Sequence, residues 1–261
     1  AELAAKTERL EEAIQALQRM VDLKPGMEAY SRIAQIRWLK GDLGAAISAM
    51  ETAVRATSPR DAEASAWTLA RLSGFYLQAS RIDLALKAAD AAVGQAANFP
   101  PALLARSRAL LELGKNAAAA SGFARAADLN PLPEYQWWLA DTLRLVGRPG
   151  EATRIESELR ARGALADPRT LALFLATRGD AATDAVRLAR DELANRNDVF
   201  THDALAWALA ASGDLAAADA EMRAALAERT QDARLFWHAG EIALARGATA
   251  EADEFFRKAR P

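Results

Sequence analysis

Side chains able to do metal or acid–base chemistry are few in this chain. Its 261 residues contain no cysteine and only two histidines, His202 and His238. A zinc site needs three or four ligands close together, and the separation of the two histidines matches no ligand spacing. We therefore predict that both histidines pack or lie on the surface. The sequence assigns no catalytic residue, no metal and no cofactor.

Motifs for other reaction types are missing from the sequence as well. The segment LGKN at 113–116 lacks the upstream glycine and the following Ser or Thr of a phosphate-binding loop. No nucleophile elbow, zincin motif or calcium loop occurs. We interpret the acidic clusters ESEL at 156–159 and EADE at 251–254 as solvated helix faces. These observations favour a protein that is not an enzyme.

Charge and hydropathy narrow the class of partner. The 33 basic and 35 acidic residues give a net charge of −2 and are interspersed along the chain. A nucleic-acid-binding protein normally shows a basic stripe, and a membrane span needs roughly 20 apolar residues in a row. Neither feature occurs, so we expect no nucleic acid and no membrane insertion. The compartment stays open between cytoplasm and periplasm, and the heavy use of Ala and Arg is typical of a bacterial chain from a GC-rich genome.

Six tryptophans point to binding rather than to catalysis. Aromatic side chains are enriched at binding hot spots, where they bury a large area. Whether these indoles share a surface depends on the elements that carry them. They are Trp38, Trp67, Trp137, Trp138, Trp207 and Trp237.

Turn residues recur along the chain with a period near 34 residues. The segments on both sides of each turn show the i, i+3, i+4, i+7 periodicity of amphipathic helices. A glycine in the left-handed conformation closes a helix, and an Asp or Asn just beyond it caps the next one. The pattern predicts seven helical hairpins with their corners at Gly41, Ser80, Gly114, Gly147, Gly179, Gly213 and Gly247.

The flanks of the turns repeat too. Small side chains, which let two helices approach closely, stand seven residues before each turn, at Ala34, Ser73, Ser107, Ala140, Ala172, Ala206 and Gly240. Alanine stands five residues after most turns, at Ala46, Ala85, Ala119, Ala152, Ala218 and Ala252. Nine residues after the turn a bulky side chain recurs, at Met50, Phe123, Met222 and Phe256.

This helix–turn–helix unit resembles the tetratricopeptide repeat (TPR). The segments LQRMVDLKPG and FARAADLNP reproduce the family's helix ending at Pro25 and Pro131. The resemblance implies an all-α, right-handed TPR superhelix, an α-solenoid of about seven and a half repeats that forms one array over residues 1–261. The expected units are a partial repeat at 1–26 and repeats at about 27–65, 66–99, 100–132, 133–164, 165–198, 199–232 and 233–261.

Three departures from the repeat pattern predict local changes. Glu156 replaces the bulky residue of its unit, and the alanine after Gly179 comes one residue late, at Ala185. Ser58, Pro59 and Arg60 indicate an inserted loop at about 57–64.

Counting back from the turns puts five tryptophans on one helical stripe of the first helices. The resemblance implies that this stripe faces the concave groove in which TPR arrays bind peptides. The alternative is that the indoles plug gaps between adjacent repeats. We expect the groove to be formed by Trp38, Trp67, Arg108, Trp137, Asp141, Arg144, Trp207, Trp237 and Glu241.

Two specialised TPR types are disfavoured. Chaperone-binding TPRs carry a Lys/Asn/Arg clamp on this stripe, whereas the first complete repeats here hold Ser31 and Gln35, then Ala70 and Gly74. The asparagine ladder of glycosyltransferase-linked TPRs is missing, because all five asparagines fall outside the first helices.

The sequence therefore predicts a non-enzymatic scaffold or adaptor that binds a protein or peptide segment in a concave, Trp-lined groove. One alternative is a structural assembly module acting through homo-oligomerisation or terminal contacts, and another is the helper domain of a longer enzyme. Apolar residues near both ends lead us to expect missing flanking segments or a second copy that covers one end. They are Leu3, Leu10, Ile14, Leu17, Phe255 and Phe256.

Overall fold

The computed structural model describes residues 25–58 and 60–260, together with Ala16 and Arg19. Of these residues 81% are helical and none lies in a strand. The predicted all-α fold is therefore confirmed. Leu3, Leu10, Ile14 and Leu17, which bear on the expected end contacts, lie outside the described residues.

The described helices alternate as first and second members of seven hairpins. The first helices are α1 (Met27–Leu39), α3 (Ala62–Gln78), α5 (Pro100–Glu112), α7 (Pro133–Leu145), α9 (Pro168–Arg178), α11 (Val199–Ala211) and α13 (Ala233–Ala245). The second helices are α2 (Leu43–Ala56), α4 (Ile82–Gln95), α6 (Asn116–Leu129), α8 (Pro149–Ala166), α10 (Ala182–Asn195), α12 (Leu215–Leu226) and α14 (Thr249–Ala259).

All seven predicted corners have the left-handed backbone conformation. The six glycines have φ between 69° and 88°, and Ser80 has φ 54°. Glycine adopts this conformation without the Cβ clash that other residues meet. The spacing of the turns thus marked the hairpin corners correctly.

The predicted caps are confirmed at two corners and wrong at a third. The side chains of Asp42 and Asp214 accept hydrogen bonds from the backbone N–H three residues on, at 2.9 and 3.1 Å. Asp180 instead accepts from Arg160 at 2.8 Å, and α10 begins one residue later than its counterparts, at Ala182. This longer corner explains the displaced alanine, Ala185.

The loop expected at about 57–64 is shorter than predicted. Helix α3 begins at Ala62, because Asp61 caps it by accepting a hydrogen bond from the N–H of Ala64 at 2.9 Å. Glu63 and Ala64 therefore lie in the first turn of a helix.

The repeating small residues form the hairpin cores. Every one of the seven positions before the turns is buried, as is every alanine five residues after them. Met50, Phe123 and Met222 fill the spaces between these small side chains and are buried, whereas Phe255 and Phe256 on α14 are half-buried. Close helix approach with interdigitating large residues is the packing that the pattern predicts.

The chain forms two compact units, the first ending at Ala109 and the second beginning at Leu110, inside α5. In the first unit α1 packs on α2, α2 on α3, and α3 on α4. In the second unit the first helices lie side by side, with α7 against α9, α9 against α11 and α11 against α13. The second unit therefore presents a face made of first helices. The single array over residues 1–261 stays a prediction.

Candidate functional site

All six tryptophans lie on first helices, as predicted, but their exposure differs. Trp67 and Trp237 are 38% and 42% exposed, Trp137, Trp138 and Trp207 are half-buried, and Trp38 is only 8% exposed. Burial thus separates the predicted stripe into packing residues and surface residues.

Trp38 packs inside the first unit. Its ring meets Phe75 of α3 edge-on, with centroids 5.7 Å apart and planes at 62°. A side chain this buried has little surface to offer a partner, so we leave Trp38 out of the proposed binding surface.

The first unit has a groove beside Trp67. This Trp67 groove has a volume of about 850 Å³ and runs between α1, α3 and the residue that precedes α5. Apolar and amide side chains line it together with the indole, at Met27, Gln35, Trp67 and Phe99. Arg108, also expected in the groove, is half-buried on α5 and is not one of the lining residues.

Charges of both signs border the Trp67 groove. The acidic residues are Glu28, Asp61 and Glu63, and the basic ones are Arg32 and Arg71. Arg71 of α3 donates a hydrogen bond to Gln35 of α1, which links the two helices. Within α3, the Arg71 guanidinium lies 5.6 Å from the centroid of the Phe75 ring. The groove therefore combines an accessible indole with mixed charge and is suited to a polypeptide segment.

Asp141 and Arg144 belong to an ion-pair network around Glu156. Arg144 donates two hydrogen bonds to the Glu156 carboxylate, at 2.6 and 2.8 Å. Arg178 donates to Glu156 Oε1 at 2.6 Å and also to Asp141. This Glu156 network of Asp141, Arg144, Glu156 and Arg178 links α7, α8 and α9. Asp141 and Arg144 thus have structural partners.

The network keeps a buried carboxylate ionised. Burial opposes ionisation of Glu156, which is 8% exposed, but the hydrogen bonds from Arg144 and Arg178 outweigh it and hold the pKa of Glu156 below its ordinary value. Burial likewise opposes the charge of Arg178, yet its bonds to Asp141 and Glu156 raise its pKa. Our interpretation of the segment 156–159 as a solvated face is wrong, because Glu156 turns into the core position that Met50 and Met222 occupy elsewhere.

Trp137 divides its surface between packing and solvent. Its ring meets the buried Phe174 edge-on, with centroids 5.7 Å apart. The indole Nε1 is buried and has no hydrogen-bond partner among the described residues. Its neighbour Trp138 stacks on Phe123 at 5.7 Å. Trp137 therefore supports the α7–α9 contact at least as much as it offers a surface.

The last two hairpins bring Trp207, Trp237, His238 and Asp203 together. Trp207 stacks on His238 with centroids 4.4 Å apart, and Trp237 is tilted against Trp207 at 5.3 Å. His238 Nδ1 lies 2.7 Å from Asp203 Oδ1, and both side chains are almost fully buried. We call this group the Trp207–Trp237 patch. Glu241 lies one helical turn beyond Trp237 on α13 and is half-buried.

Sequence reasoning missed the buried partners in both clusters. Asp203 counts onto the exposed stripe, yet its side chain is 1% exposed because His238 of the next hairpin bonds it. The repeat period could have predicted the contact between Asp203 and His238, because residues about one period apart on successive first helices become neighbours. His202, in contrast, pairs with Glu221 at 2.7 Å and with Asn197 at 2.9 Å. The described residues contain no cluster of three His, Asp or Glu arranged to hold a metal ion.

Sequence models of the tetratricopeptide repeat match residues 28–58 and 104–166. The first match covers the hairpin of α1 and α2, and the second runs from α5 to the end of α8. Among curated proteins, no sequence matches the chain.

Solved structures share the fold at low sequence identity. Human IFIT1, determined as a dimer with PPP-AAAA, matches 98% of this chain and 64% of its own, at 15% identity and a TM-score of 0.54. Cut9 in the APC/C hetero-tetramer Cut9–Hcn1 matches 97% of this chain and 53% of its own, at 15% identity and a TM-score of 0.51. A TPR protein from Parabacteroides merdae matches 89% of this chain and 91% of its own, at 18% identity and a TM-score of 0.46. The chain thus spans less than two thirds of IFIT1 and of Cut9.

None of the described helices is both long and apolar enough to cross a membrane.

Two independent matches to the repeat coincide with hairpins whose corners, small residues and bulky residues follow the 34-residue period. On this evidence the chain is a tetratricopeptide-repeat protein over the matched residues 28–58 and 104–166.

Proposed function

We propose that this chain is a non-enzymatic scaffold that holds a segment of a partner protein against its first helices, with the Trp67 groove as the main contact. The TPR fold supports a role in protein–protein interaction, and the family typically serves as a non-catalytic interaction scaffold. In the second unit the proposed contact surface keeps Trp137, Trp207, Trp237 and Glu241.

The accessible indole of Trp67 is the observation that carries the proposal. A tryptophan that is 38% exposed at the edge of an 850 Å³ groove offers a large, rigid contact area to a ligand. Tryptophan is enriched among the few interface residues that dominate binding free energy. Since the hairpin does not need this exposed surface for its own core, a binding role accounts for it best.

The lining of the groove indicates the chemistry of the segment. Three carboxylates and two guanidinium groups surround Trp67, Met27 and Phe99. This mixture fits a polypeptide with apolar anchors and charges of both signs better than a polyanion, whose phosphates the three carboxylates would repel. For that reason the PPP-AAAA bound in the human IFIT1 structure is not carried over to this chain.

Peptide selection tests the proposal. Random peptides of about a dozen residues are panned against the whole chain, and the Kd of the selected peptides is measured by fluorescence anisotropy. Trp67→Ala should weaken binding at least about tenfold, as hot-spot truncations do. The melting temperature should change little, because the truncated side chain is exposed rather than part of the core.

Leu165→Ala is the matched control, because Leu165 is 96% exposed on the second helix α8. This variant should bind the selected peptides like the wild type. Equal affinities of the wild type and Trp67→Ala would refute the groove assignment. A large loss of stability in Trp67→Ala would show instead that Trp67 is a packing residue.

A further inference from the structure

Trp237 presents an aromatic surface that the second unit leaves open. The side chain is 42% exposed, while its inner side is tilted against Trp207 and His238 at centroid distances of 5.3 and 5.5 Å. Trp207 is held from two sides, because it stacks on His238 and donates a hydrogen bond from Nε1 to Thr177 Oγ1 at 3.0 Å. The exposed indole therefore rests on a fixed support.

Two carboxylates, Asp203 and Glu241, belong to the surroundings of this patch. Asp203 Oδ1 contacts His238, whereas Asp203 Oδ2 has no hydrogen-bond partner among the described residues and lies 4.0 Å from Arg234 Nε. Glu241, one turn beyond Trp237 on the same side of α13, forms no ion pair with any described residue. The carboxylate of Glu241 favours a positive charge at the outer surface of the indole.

Guanidinium groups of the chain itself lie over some of its other aromatic rings. Arg160 and Arg178 lie 5.0 and 4.9 Å from the centroid of Phe174, and Arg169 lies 5.9 Å from that of Phe200. No cation of the described residues lies over Trp207 or Trp237, although indole is the side chain that attracts a cation most strongly. The position that an arginine occupies at Phe174 is thus unfilled at Trp237.

We propose that the Trp207–Trp237 patch binds an arginine side chain of a partner protein. The guanidinium stacks on the exposed side of Trp237, and Glu241 balances its charge. Arginine is favoured over lysine because its planar, weakly hydrated group stacks on aromatic rings. The inference rests on the proposed function, because the patch is part of the contact surface proposed for the second unit, and it adds the kind of side chain that the patch binds.

NMR of the whole chain tests this inference. The indole N–H signals of Trp207 and Trp237 are assigned with Trp→Phe variants. The probes are Nα-acetyl-arginine methylamide and its citrulline counterpart, which has nearly the same shape without the charge. Both are titrated at constant ionic strength to about 50 mM, above the millimolar Kd expected for a single side chain.

The arginine probe should shift the Trp237 indole signal saturably, with a Kd about threefold to fivefold lower than that of the citrulline probe. Glu241→Gln should weaken binding of the arginine probe about twofold to threefold. Asp253→Asn, an exposed acidic residue on α14, is the matched control and should leave it unchanged.

Equal shifts with both probes would overturn the inference, since the patch would then sense contact but not charge. No shift of the Trp237 signal, or a shift of the Trp67 signal alone, would overturn it too. The proposed function is judged separately, by the peptides that depend on Trp67.

Discussion

Glu156 occupies a position where most other hairpins place a large apolar side chain. Met50, Phe123 and Met222 are nearly or fully buried at the equivalent positions. A carboxylate is stable there only because Arg144 and Arg178 reach it from α7 and α9, with short charge-assisted hydrogen bonds. Removing one member of such a buried ion pair is destabilising, because the remaining charges are left without a partner.

Two substitutions at Glu156 should distinguish the contribution of its charge to stability from the contribution of its side-chain volume. Glu156→Ala should lower the free energy of unfolding by about 2–4 kcal/mol, because it leaves a cavity and two close guanidinium groups. Glu156→Met, with the side chain found in the first and sixth hairpins, should lose less because it fills the space. Urea unfolding followed by circular dichroism at pH 7 measures both changes.

Glu158→Ala on the same helix is the control. Glu158 is exposed, and its carboxylate forms an ion pair at 3.4 Å with Arg154, which is exposed too. Its effect should stay within about 0.5 kcal/mol. If Glu156→Ala were no more destabilising than Glu158→Ala, the Glu156 network would have no structural role.

The lowered pKa of Glu156 predicts a pH dependence. A carboxyl whose pKa falls on folding stabilises the folded chain above its unfolded value, ordinarily 4.5, and this contribution is lost as the pH drops through the folded value. The difference in unfolding free energy between wild type and Glu156→Gln should therefore have its largest value at pH 7 and become smaller below about pH 4.5. Urea unfolding at a series of pH values measures it, and a difference that stays constant down to pH 3 would contradict the ionised state.

At the scale of secondary-structure elements, the small residues where two helices cross set how closely the helices of a hairpin pack. At the last crossing the small residue is Gly240 rather than Ala or Ser. A Cβ built there would lie 2.5 and 2.6 Å from the Phe256 ring carbons Cε1 and Cδ1. The aromatic ring thus occupies the space that an alanine methyl group needs.

Gly240→Ala should destabilise the chain, although alanine is the better helix former by about 1 kcal/mol. Overpacking against Phe256 should cost about 1–3 kcal/mol. Gly74→Ala is the matched control in α3, where an added Cβ meets nothing within 4 Å, and it should stabilise by up to about 1 kcal/mol. Thermal unfolding of both variants gives the comparison, and a higher melting temperature for Gly240→Ala would show that the ring moves aside freely.

The elements were predictable because their signals are local and repeated. Each corner combines a left-handed residue with small and bulky residues at fixed distances, so seven weak patterns support one another. The exception at Asp180 arose from one extra residue in the corner, which the displaced Ala185 already marked.

The site was less predictable because its contacts join different hairpins. Counting along a helix places Asp203 and Trp38 on the same stripe as Trp237 but does not show that His238 or Phe75 will cover them. Glu156 likewise reads as polar surface until Arg178, 22 residues away, is placed beside it.

At the scale of the whole molecule the charge distribution bears on the class of partner. The net charge of −2 and the interspersed acidic residues should prevent counterion-driven binding of nucleic acid. A labelled single-stranded RNA should show no saturable binding at about 150 mM salt. Submicromolar binding with a steep salt dependence in fluorescence anisotropy would contradict this expectation.

Whether the chain is a scaffold that binds through Trp67 is tested by comparing the partners captured by three forms of the whole chain. Wild type, Trp67→Ala and Leu165→Ala serve as baits in an extract of the source organism, with quantitative mass spectrometry as the readout and circular dichroism confirming equal folding. If the Trp67 groove holds the partner, at least one protein captured by wild type and by Leu165→Ala is lost, by about tenfold or more, from the Trp67→Ala bait. The same proteins captured at the same yield by all three baits would contradict it.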